Sequence, residues 1–539
     1  MESYGFYGLV PPVLAIILAF ITRDAIVALL TGILSGLLIM GDGNLFVALT
    51  SLADSMAKNL SDGWNIRIFL FCALLGGFVG LLSSTGAEHA FGAWAAKKLK
   101  SARSSQFATF IFGLCVFIDD YFNALATGSI MRPISDETRT SRAKLAYIVH
   151  STAATVCIII PVSSWVVTIM SISKGADGFN MLNLTPLEFF ISLIPYNLYA
   201  FGVLFLVFCV LLTRRDFGPM AHSENIAKNS GILCDEKYYG PIPNNIHETK
   251  NTKAHPFDMF LPILFLICSA LLLFPITTWM QAINGKEIAD FNAAFASISI
   301  GDAFKQTDAS VALLYAIIFT FFFTYIYYFV RGLLNISKAS GAIQEGIKSM
   351  VPALCILALA WIMGAIIKSS PAEGGLGLGT FLAQIVINGE FPPFALAMVV
   401  FLLSAIISFA TGTSWGTFGI MIPLVMPIVT ALGASKGMDL AALQNATFIS
   451  IAAVIGGAIF GDNTSPISDS TILSATGAGC PILEHVATQM PYAVLVAISA
   501  ACGFLVAGIS QNIIFGWAVL IGFILLGIIF LPKFWRSVR

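Results

Sequence analysis

Residues 106–131 read QFATFIFGLCVFIDDYFNALATGSIM, an apolar run interrupted at its centre by Asp119 and Asp120. If this run crossed the membrane once, the basic loops 97–103 and 132–144 would lie on opposite sides. That arrangement conflicts with the concentration of Lys and Arg on the cytoplasmic side of membrane proteins. The conflict disappears if the run enters the membrane and returns to the same side. The stretch therefore predicts a re-entrant hairpin with two carboxylates at its tip.

The composition of the whole chain agrees with a membrane location. Of its 539 residues, 57% are hydrophobic and only 11% are charged, too few to cover the surface of a soluble protein of this size. Apolar runs long enough for a membrane-spanning helix of about 20 residues recur along the chain. The nine cysteines form no CxxC pair, which argues against a disulfide framework or a zinc site. The predicted fold class is an all-α polytopic membrane protein.

A second hairpin is predicted in residues 391–435, a charge-free run long enough to enter the membrane and return. Its middle, TGTSWGT at 411–417, is a poor helix interior because it is rich in glycine and hydroxyl residues. With two hairpins, the other apolar runs give about 11 transmembrane helices, an outside N-terminus and a cytoplasmic C-terminus. This topology places 21 of the 28 Lys and Arg residues on the cytoplasmic side.

The order of spans and hairpins recurs, and the two hairpins open to opposite sides, which predicts inverted-topology repeats. The predicted units are a first repeat at 1–213 with a hairpin at about 104–132, a cytoplasmic linker at 214–256 with a loop at 241–245, a second repeat at 257–511 with a hairpin at about 391–435, and an extra C-terminal transmembrane helix at 512–539. A shift of 300 residues superposes 161–164 on 461–464. In such proteins the binding site lies near the midplane, where interrupted helices meet.

The first candidate cluster is Asp119, Asp120 and Asn123 at the first hairpin. An ionised carboxylate at the centre of a span costs about 2.5–3.5 kcal/mol or more, so such residues face a cavity, bind a cation or share a proton. The alternative is a tip solvated by lipid headgroups. The second cluster is Ser163 and Ser164, which follow Pro161. Proline frees a helix carbonyl, and carbonyl and hydroxyl oxygens are hard ligands suited to sodium; the alternative is a simple helix kink.

The third cluster lies at the second hairpin and the fourth at 461–471, GDNTSPISDST, the densest set of oxygen ligands in the chain. The alternatives are small-residue helix packing for the third and an ordinary polar loop for the fourth. The candidates in these two clusters are Thr411, Thr413, Ser414, Asp462, Asn463, Thr464 and Asp469. A sodium site is predicted at Asp462, Asn463, Thr464, Ser163 and Ser164.

Three further ionisable residues have weaker signals. His150 lies one turn into a span, where it would either titrate near neutral pH or form a hydrogen bond between helices. Glu484 and His485 are placed by the same reasoning in a cytoplasmic loop, with no assigned role.

Several motifs together resemble the NhaC family of sodium/proton antiporters. They are IDDYFN at 118–123, MRP at 131–133, SRAKLAY at 141–147, STAA at 151–154, PVSSW at 161–165, TGTSWGT at 411–417 and GDNTSPISDST at 461–471. The resemblance extends over residues 66–510 apart from the linker and the 282–308 loop. It implies two opposed re-entrant hairpins and elevator-like alternating access, as in the wider ion transporter superfamily that includes dicarboxylate/sodium symporters. The family also contains malate/lactate exchangers and amino acid carriers, so the resemblance specifies cation coupling better than cargo.

The predicted function is secondary active Na+/H+ antiport, in which Asp119, Asp120 and Asp462 alternately bind sodium or protons. The alternative is a Na+- or H+-coupled transporter of an amino acid or an organic acid. An enzyme is disfavoured because no nucleophile–base pair is apparent, and a channel would need an unbroken polar path. No cofactor is expected beyond Na+ and H+ as coupling ions.

The expected location is the bacterial inner membrane, crossed several times. The expected partners are membrane lipids and, for the alternative function, a small carboxylate or an amino acid. A homodimer is retained as a candidate assembly. Nucleic acid is not expected, since no basic patch or stripe is present.

Overall fold

The computed structural model describes residues 4–22, 24–87, 90, 94, 99–117, 119–242, 253–285, 290–368, 375–378, 381, 395–466 and 468–537. These residues form helices and connecting segments, with no strand among them. Among these described residues, eight helices are long and apolar enough to cross a membrane, or up to ten if each of two bent pairs counts as one span. The prediction of an all-α polytopic membrane protein is confirmed.

The first half of the chain contains twelve described helices. They are α1 (Val10–Thr22), α2 (Ala25–Met40), α3 (Leu45–Ser61), α4 (Gly63–Ser84), α5 (Ala102–Cys115), α6 (Asp120–Glu137), α7 (Arg142–Cys157), α8 (Ser164–Gly175), α9 (Pro186–Leu193), α10 (Leu198–Thr213), α11 (Gly218–Ser230) and α12 (Glu236–Tyr239).

The second half contains eleven described helices. They are α13 (Phe257–Asn284), α14 (Phe291–Ser297), α15 (Ile300–Lys305), α16 (Ala309–Val330), α17 (Ile336–Lys368), α18 (Leu396–Thr411), α19 (Ser414–Ser435), α20 (Leu440–Thr464), α21 (Asp469–Ala478), α22 (Ile482–Ser510) and α23 (Ile513–Ser537).

Helices α5 and α6 form the first predicted hairpin. Their connection is short, and α6 begins immediately after Asp119, whose carboxylate accepts a hydrogen bond from the backbone N–H of Phe122 at 3.1 Å. This is an N-cap, which satisfies one of the orphan amide donors at the start of a helix. Asp119 therefore ends the connection between α5 and α6 and, as the N-cap, starts α6.

A broken helix follows each hairpin. Helix α7 ends at Cys157 and α8 begins after the N-cap Ser163, with Pro161 in the break. In the second half, α18 and α19 form the hairpin, α20 ends at Thr464, and α21 begins after the N-cap Ser468.

The two broken helices differ in length before the break. Helix α7 has 16 residues and α20 has 25. The N-caps that follow the two breaks, Ser163 and Ser468, lie 305 residues apart. A shift of 300 residues instead superposes 161–164, at the first break, on 461–464, the last residues of α20, and so misplaces the break.

The helices outside the hairpins pack through glycines. At Gly76 and Gly80 of α4, an added Cβ would meet the backbone of Gly346 or Ala342 on α17, so the two helices approach almost backbone to backbone. Such contacts between small residues are the usual basis of close helix packing in membranes. Helix α17 is one continuous helix of 33 residues. Between α2 and α3 the chain turns by 119°.

The predicted linker contains a packed helix, α11. Its Met220 and Ala227 are buried, and its Glu224 accepts hydrogen bonds from the Ser141 backbone N–H and hydroxyl at 2.8 and 2.7 Å. Because Ser141 is also the N-cap of α7, this segment contacts the start of the first broken helix. Of the loop predicted at 241–245, residues 243–245 lie outside the described residues.

Glu484 and His485 also lie in a helix rather than in a loop. They occupy the first turn of α22 and are 1% and 0% exposed. Their burial comes from contacts with elements distant in sequence, which local composition does not reveal.

Candidate functional site

The first hairpin tip contacts the first broken helix through its carboxylates. The Ser164 hydroxyl donates to Asp119 Oδ2 at 3.2 Å, and the indole N–H of Trp165 donates to Asp120 Oδ1 at 2.8 Å. Asp119 is 1% exposed and Asp120 is 2% exposed. We call these four residues the first centre. Here the hairpin supplies the carboxylates and the start of α8 supplies the hydrogen-bond donors.

Asn123 braces the first hairpin instead of facing the break. Its amide nitrogen donates to the carbonyls of Gly113 and Val116 at 2.8 and 2.5 Å, and its oxygen accepts from the Thr127 hydroxyl at 3.1 Å. Both carbonyls lie at the end of α5, which would otherwise leave them without helical donors. The side chain thus joins the two arms below the tip.

The second hairpin tip contacts the second broken helix with the roles reversed. Asp462 lies near the end of α20, and its Oδ2 accepts from the Ser414 hydroxyl at 3.2 Å, a hydroxyl that is also 3.1 Å from the Ala458 carbonyl. Its Oδ1 accepts from the Ser468 hydroxyl, the N-cap of α21. We call Asp462, Ser414 and Ser468 the second centre. Asp462 is 4% exposed.

Aromatic rings connect the two centres. The Trp165 ring lies 5.9 Å from the Trp415 ring and 5.7 Å from the Phe418 ring, in edge-to-face arrangements. Trp165 directly follows Ser164, and Trp415 directly follows Ser414. A second cross-contact joins Gly128 of α6 and Gly477 of α21, where an added Cβ would meet the opposing backbone. The hairpins and broken helices of both halves therefore pack as one unit.

The residues predicted to form a sodium site do not form one hydrogen-bonded set. The Ser163 hydroxyl donates to the Cys157 carbonyl at 2.6 Å, and the Thr464 hydroxyl donates to the Phe460 carbonyl of its own helix at 2.7 Å. The Asn463 side-chain oxygen is buried without a hydrogen-bond partner among the described residues. Ser164 belongs to the first centre and Asp462 to the second.

The remaining candidates have local roles or are not described. The Thr411 hydroxyl bonds back to the Ile407 carbonyl at 2.9 Å, and Thr413 caps α19 through the Gly416 N–H at 3.5 Å. The side chain of Asp469 lies outside the part of the chain that the structure describes.

A buried polar network extends from the second centre and was not anticipated as a unit. The Ser468 hydroxyl lies 2.9 Å from that of Ser470, Ser470 lies 3.0 Å from His150 Nε2, and His150 Nδ1 lies 2.9 Å from His485 Nε2. The Ser468-to-Thr471 spacing is a recognisable N-cap signal. The pairing of His150 with His485, 335 residues away, has no signal in a single sequence.

Both centres offer carboxylate and hydroxyl oxygens within hydrogen-bond distance of each other. Asp119 and Asp120 form no ion pair within the described residues, and charge without a counter-charge in a membrane interior is costly. No group of three or more His, Cys, Asp or Glu that could hold a metal ion occurs in the described part of the chain. Carboxylate and hydroxyl oxygens suit a proton or a hard cation that binds transiently.

Two helical hairpins, two broken helices and buried carboxylates at the breaks define a class of protein: a multi-pass helical membrane protein built as a secondary transporter. The amino-acid sequence matches the Na+/H+ antiporter family over residues 156–509, more than half of the chain. The chain belongs to this family, and the predicted resemblance to NhaC is confirmed.

Three relatives illustrate the family relationship. An uncharacterized protein of Haemophilus influenzae is 34% identical over 523 residues, 96% of this chain and 93% of that protein. The Na+/H+ antiporter NhaC of Alkalihalophilus pseudofirmus is 30% identical over 32% of this chain and 33% of its own length. The malate-2H+/Na+-lactate antiporter of Bacillus subtilis is 29% identical over 31% of this chain and 32% of its own length.

Proposed function

We propose that this chain exchanges Na+ for H+, and that Asp119, Asp120 and Asp462 alternately hold the two ions. The observation that carries the proposal is the placement of these carboxylates. Each is at most 4% exposed, and each accepts a hydrogen bond from a hydroxyl or an indole N–H across a hairpin–break contact. Carboxylates in this position need a compensating positive charge, which either a proton or a sodium ion supplies.

If Na+ and H+ compete for the same carboxylate, that competition is enough to couple their movements. A hydroxyl donates to the bare carboxylate, and when Na+ arrives the hydroxyl oxygen can turn a lone pair toward the ion. A proton on the carboxylate removes the charge that attracts Na+. If the unit changes its access only when the site is occupied, the two ions cross in opposite directions.

The hairpins and broken helices serve as the moving unit in this proposal, and movement is elevator-like. The backbone-to-backbone contact of α4 with α17 at Gly80 and Gly346 supports a rigid scaffold against which the unit shifts. The protein lies in the bacterial inner membrane with the N-terminus outside and the C-terminus in the cytoplasm. Exposed apolar side chains on α23, such as Phe515, Phe523 and Leu526, are suited to contact lipid. Na+ and H+ are the coupling ions, and neither a cofactor nor an enzymatic step is involved.

The alternative is coupled transport of an organic acid or an amino acid. The match to the Bacillus subtilis malate-2H+/Na+-lactate antiporter supports this alternative. Against it, the cavity beside Asn463 that is lined by Tyr147, Tyr199 and Gln489 has room for about one water molecule rather than for a solute.

The test is the internal pH of proteoliposomes, reported by a trapped dye, after a Na+ pulse with no organic solute present. We expect a pH change with the sign of exchange from the natural protein and none from Asp462→Asn. Asp439→Asn is the matched control, since it makes the same substitution at the exposed N-cap of the same helix, α20, and asparagine caps well. A pH change that persists in Asp462→Asn would contradict the site. A pH change that appears only when a carboxylate or amino acid is added would favour the alternative.

A further inference from the structure

A continuous row of buried hydrogen bonds leads from Asp462 to a pair of histidines. Its members are Asp462, Ser468, Ser470, His150 and His485, of which Asp462 is the most exposed at 4%. Every link after the Asp462–Ser468 bond is 2.9–3.0 Å long. The row joins four helices, because Asp462 lies on α20, Ser470 on α21, His150 on α7 and His485 on α22.

The chemistry of Gln489 determines which imidazole nitrogens carry hydrogen. Its side-chain nitrogen lies 2.8 Å from the Asn463 carbonyl and 3.1 Å from His150 Nδ1. A carbonyl only accepts, so the amide nitrogen, and not the amide oxygen, must face it. The same nitrogen then donates its second hydrogen to His150 Nδ1, which is therefore an unprotonated acceptor.

The directions of the other bonds follow from this assignment. With Nδ1 unprotonated, neutral His150 carries hydrogen on Nε2 and donates it to Ser470. His485 Nε2 faces the same lone pair and must donate to it. At the other end, the ionised Asp462 only accepts, so Ser468 donates to it, and Ser470 donates to Ser468. Every donor in the row points toward Asp462.

The outer end of the row is an open acceptor. His485 Nδ1 is buried and has no hydrogen-bond partner among the described residues, although such atoms are usually satisfied. His485 directly follows Glu484 in the sequence, and Glu484 accepts from the Ser223 hydroxyl and the Asp235 backbone N–H. Both partners belong to the segment 214–256, so the row begins on the side of the molecule where that segment lies.

Several charged groups on neighbouring helices, among the described residues, are engaged elsewhere. Lys144 pairs with Asp216, Arg142 pairs with Asp136, Glu224 bonds Ser141, and Glu484 bonds Ser223. Within the described residues, neither histidine has an ion pair. The histidines therefore communicate with the carboxylate through the two serine hydroxyls.

We propose that this row is the path by which protons reach and leave Asp462, with the His150–His485 pair as the relay at its outer end. The inference rests on the proposed function. One proton binds His485 Nδ1; His485 Nε2 then passes its hydrogen to His150 Nδ1, and His150 Nε2 passes its hydrogen to Ser470. Ser470 passes its own to Ser468, and Ser468 passes its own to Asp462. Each relay group gains one proton and loses one, and the reverse sequence releases the proton.

The proposed path requires both histidines to accept and release protons. A proton must pass through each imidazole ring, so a side chain that forms similar hydrogen bonds but does not exchange its protons blocks proton transfer without removing the ion site. Na+/Na+ exchange needs no net proton movement and would continue. A merely structural role in joining α7 to α21 and α22 would make both activities fall together.

The experiment compares these two activities in proteoliposomes made with the full chain. For His150→Gln, His485→Gln and Ser470→Ala, we expect Na+-driven proton flux to fall about tenfold or more, within the range typical of a lost proton-transfer group, while exchange of radioactive for unlabelled Na+ stays within about twofold. Ser470→Thr, which keeps the hydroxyl, should restore proton flux. His222→Gln, an exposed histidine on α11, is the matched control and should behave like the natural protein.

Three outcomes would overturn the proposal. They are normal proton flux in both histidine variants, an equal loss of both activities in all three variants, and no difference between Ser470→Ala and Ser470→Thr. If a histidine variant does not fold, the Ser470 pair decides. Failure of the underlying function looks different: the natural protein would then show no Na+-driven proton flux, and both proposals would fall.

Discussion

The two centres make the same contact with opposite chemistry. In the first, the hairpin tip carries Asp119 and Asp120, and the broken helix supplies the donor Ser164. In the second, the broken helix carries Asp462, and the hairpin tip supplies the donor Ser414. The contact between a hairpin tip and a helix break therefore recurs in both halves. The carboxylates lie on the hairpin in the first half and on the broken helix in the second.

The difference extends to the surroundings of each centre. Asp462 is linked through Ser468 and Ser470 to His150. Asp120 is held by an indole N–H, which is a donor only and passes no proton onward. Two similar contacts between a hairpin tip and a helix break can therefore have different surroundings and different roles. We expect protons to reach Asp462 through this row, whereas no such row leads from Asp120 through its indole partner.

The strongest way to break this comparison is to neutralise the first centre. Asp119→Asn and Asp120→Asn should each lower Na+-driven proton flux about 100-fold, the scale of a lost essential charged group. The Asp119→Asn variant would still cap α6, because asparagine is as good an N-cap as aspartate. Flux in proteoliposomes and thermal unfolding in detergent measure the two effects. Normal flux and pH dependence in both variants, with intact folding, would leave the first centre without a role in transport.

Close helix packing near the two centres can be compared by measuring the stability of glycine-to-alanine variants. A Cβ at Gly457 of α20 would collide with the Phe401 backbone carbonyl of α18, whereas a Cβ at Gly113 of α5 would collide with the Thr152 side chain of α7. Overpacking costs about 1–3 kcal/mol. Gly457→Ala should therefore lose about 2 kcal/mol of stability, seen as a lower midpoint of thermal unfolding.

Gly113→Ala is the matched substitution in the first half. The stability that Gly113→Ala loses should be recovered when Thr152→Ala removes the opposing side chain. No substitution can remove the backbone carbonyl that opposes Gly457. Equal stability of Gly457→Ala and the natural protein would contradict the packing described for the second half.

A smaller effect is expected where the rings of the two centres meet. Trp165→Phe keeps an aromatic ring near Trp415 and Phe418 but removes the N–H that donates to Asp120. Loss of a hydrogen bond to a charged group costs about 1.5 kcal/mol or more, so proton flux should fall about tenfold. Trp415→Phe is the matched comparison, because the Trp415 indole nitrogen has no hydrogen-bond partner among the described residues. If the two variants lose equal flux, ring packing and not the hydrogen bond explains the effect.

Much of this architecture could be predicted from the sequence because membranes impose strong constraints. Asp119 and Asp120 lie where α5 meets α6, the run 391–435 contains the pair α18 and α19, and Pro161 lies in the break between α7 and α8. That the two helix pairs are re-entrant stays a prediction. The placement of individual ligands could not be predicted, since a hydroxyl in a break bonds either to its own helix, as in Thr464, or across a contact, as in Ser414. That choice depends on side-chain direction and on neighbours distant in sequence.

The errors have related causes. The polar composition of 214–256 gave no indication of α11, which packs against the start of α7. Glu484 and His485 were assigned to a loop because nothing local distinguishes a buried first helical turn from a polar connection. His150 was considered alone, and its partner came from the other half of the chain.

The most direct test of the central claim, that Na+ and H+ compete for Asp462, is proton release when Na+ is added to the purified protein in weakly buffered detergent solution. We predict that the natural protein releases protons in proportion to the Na+ it binds and that Asp462→Asn releases none. Na+ binding without proton release, or the same release from Asp462→Asn, would contradict the account.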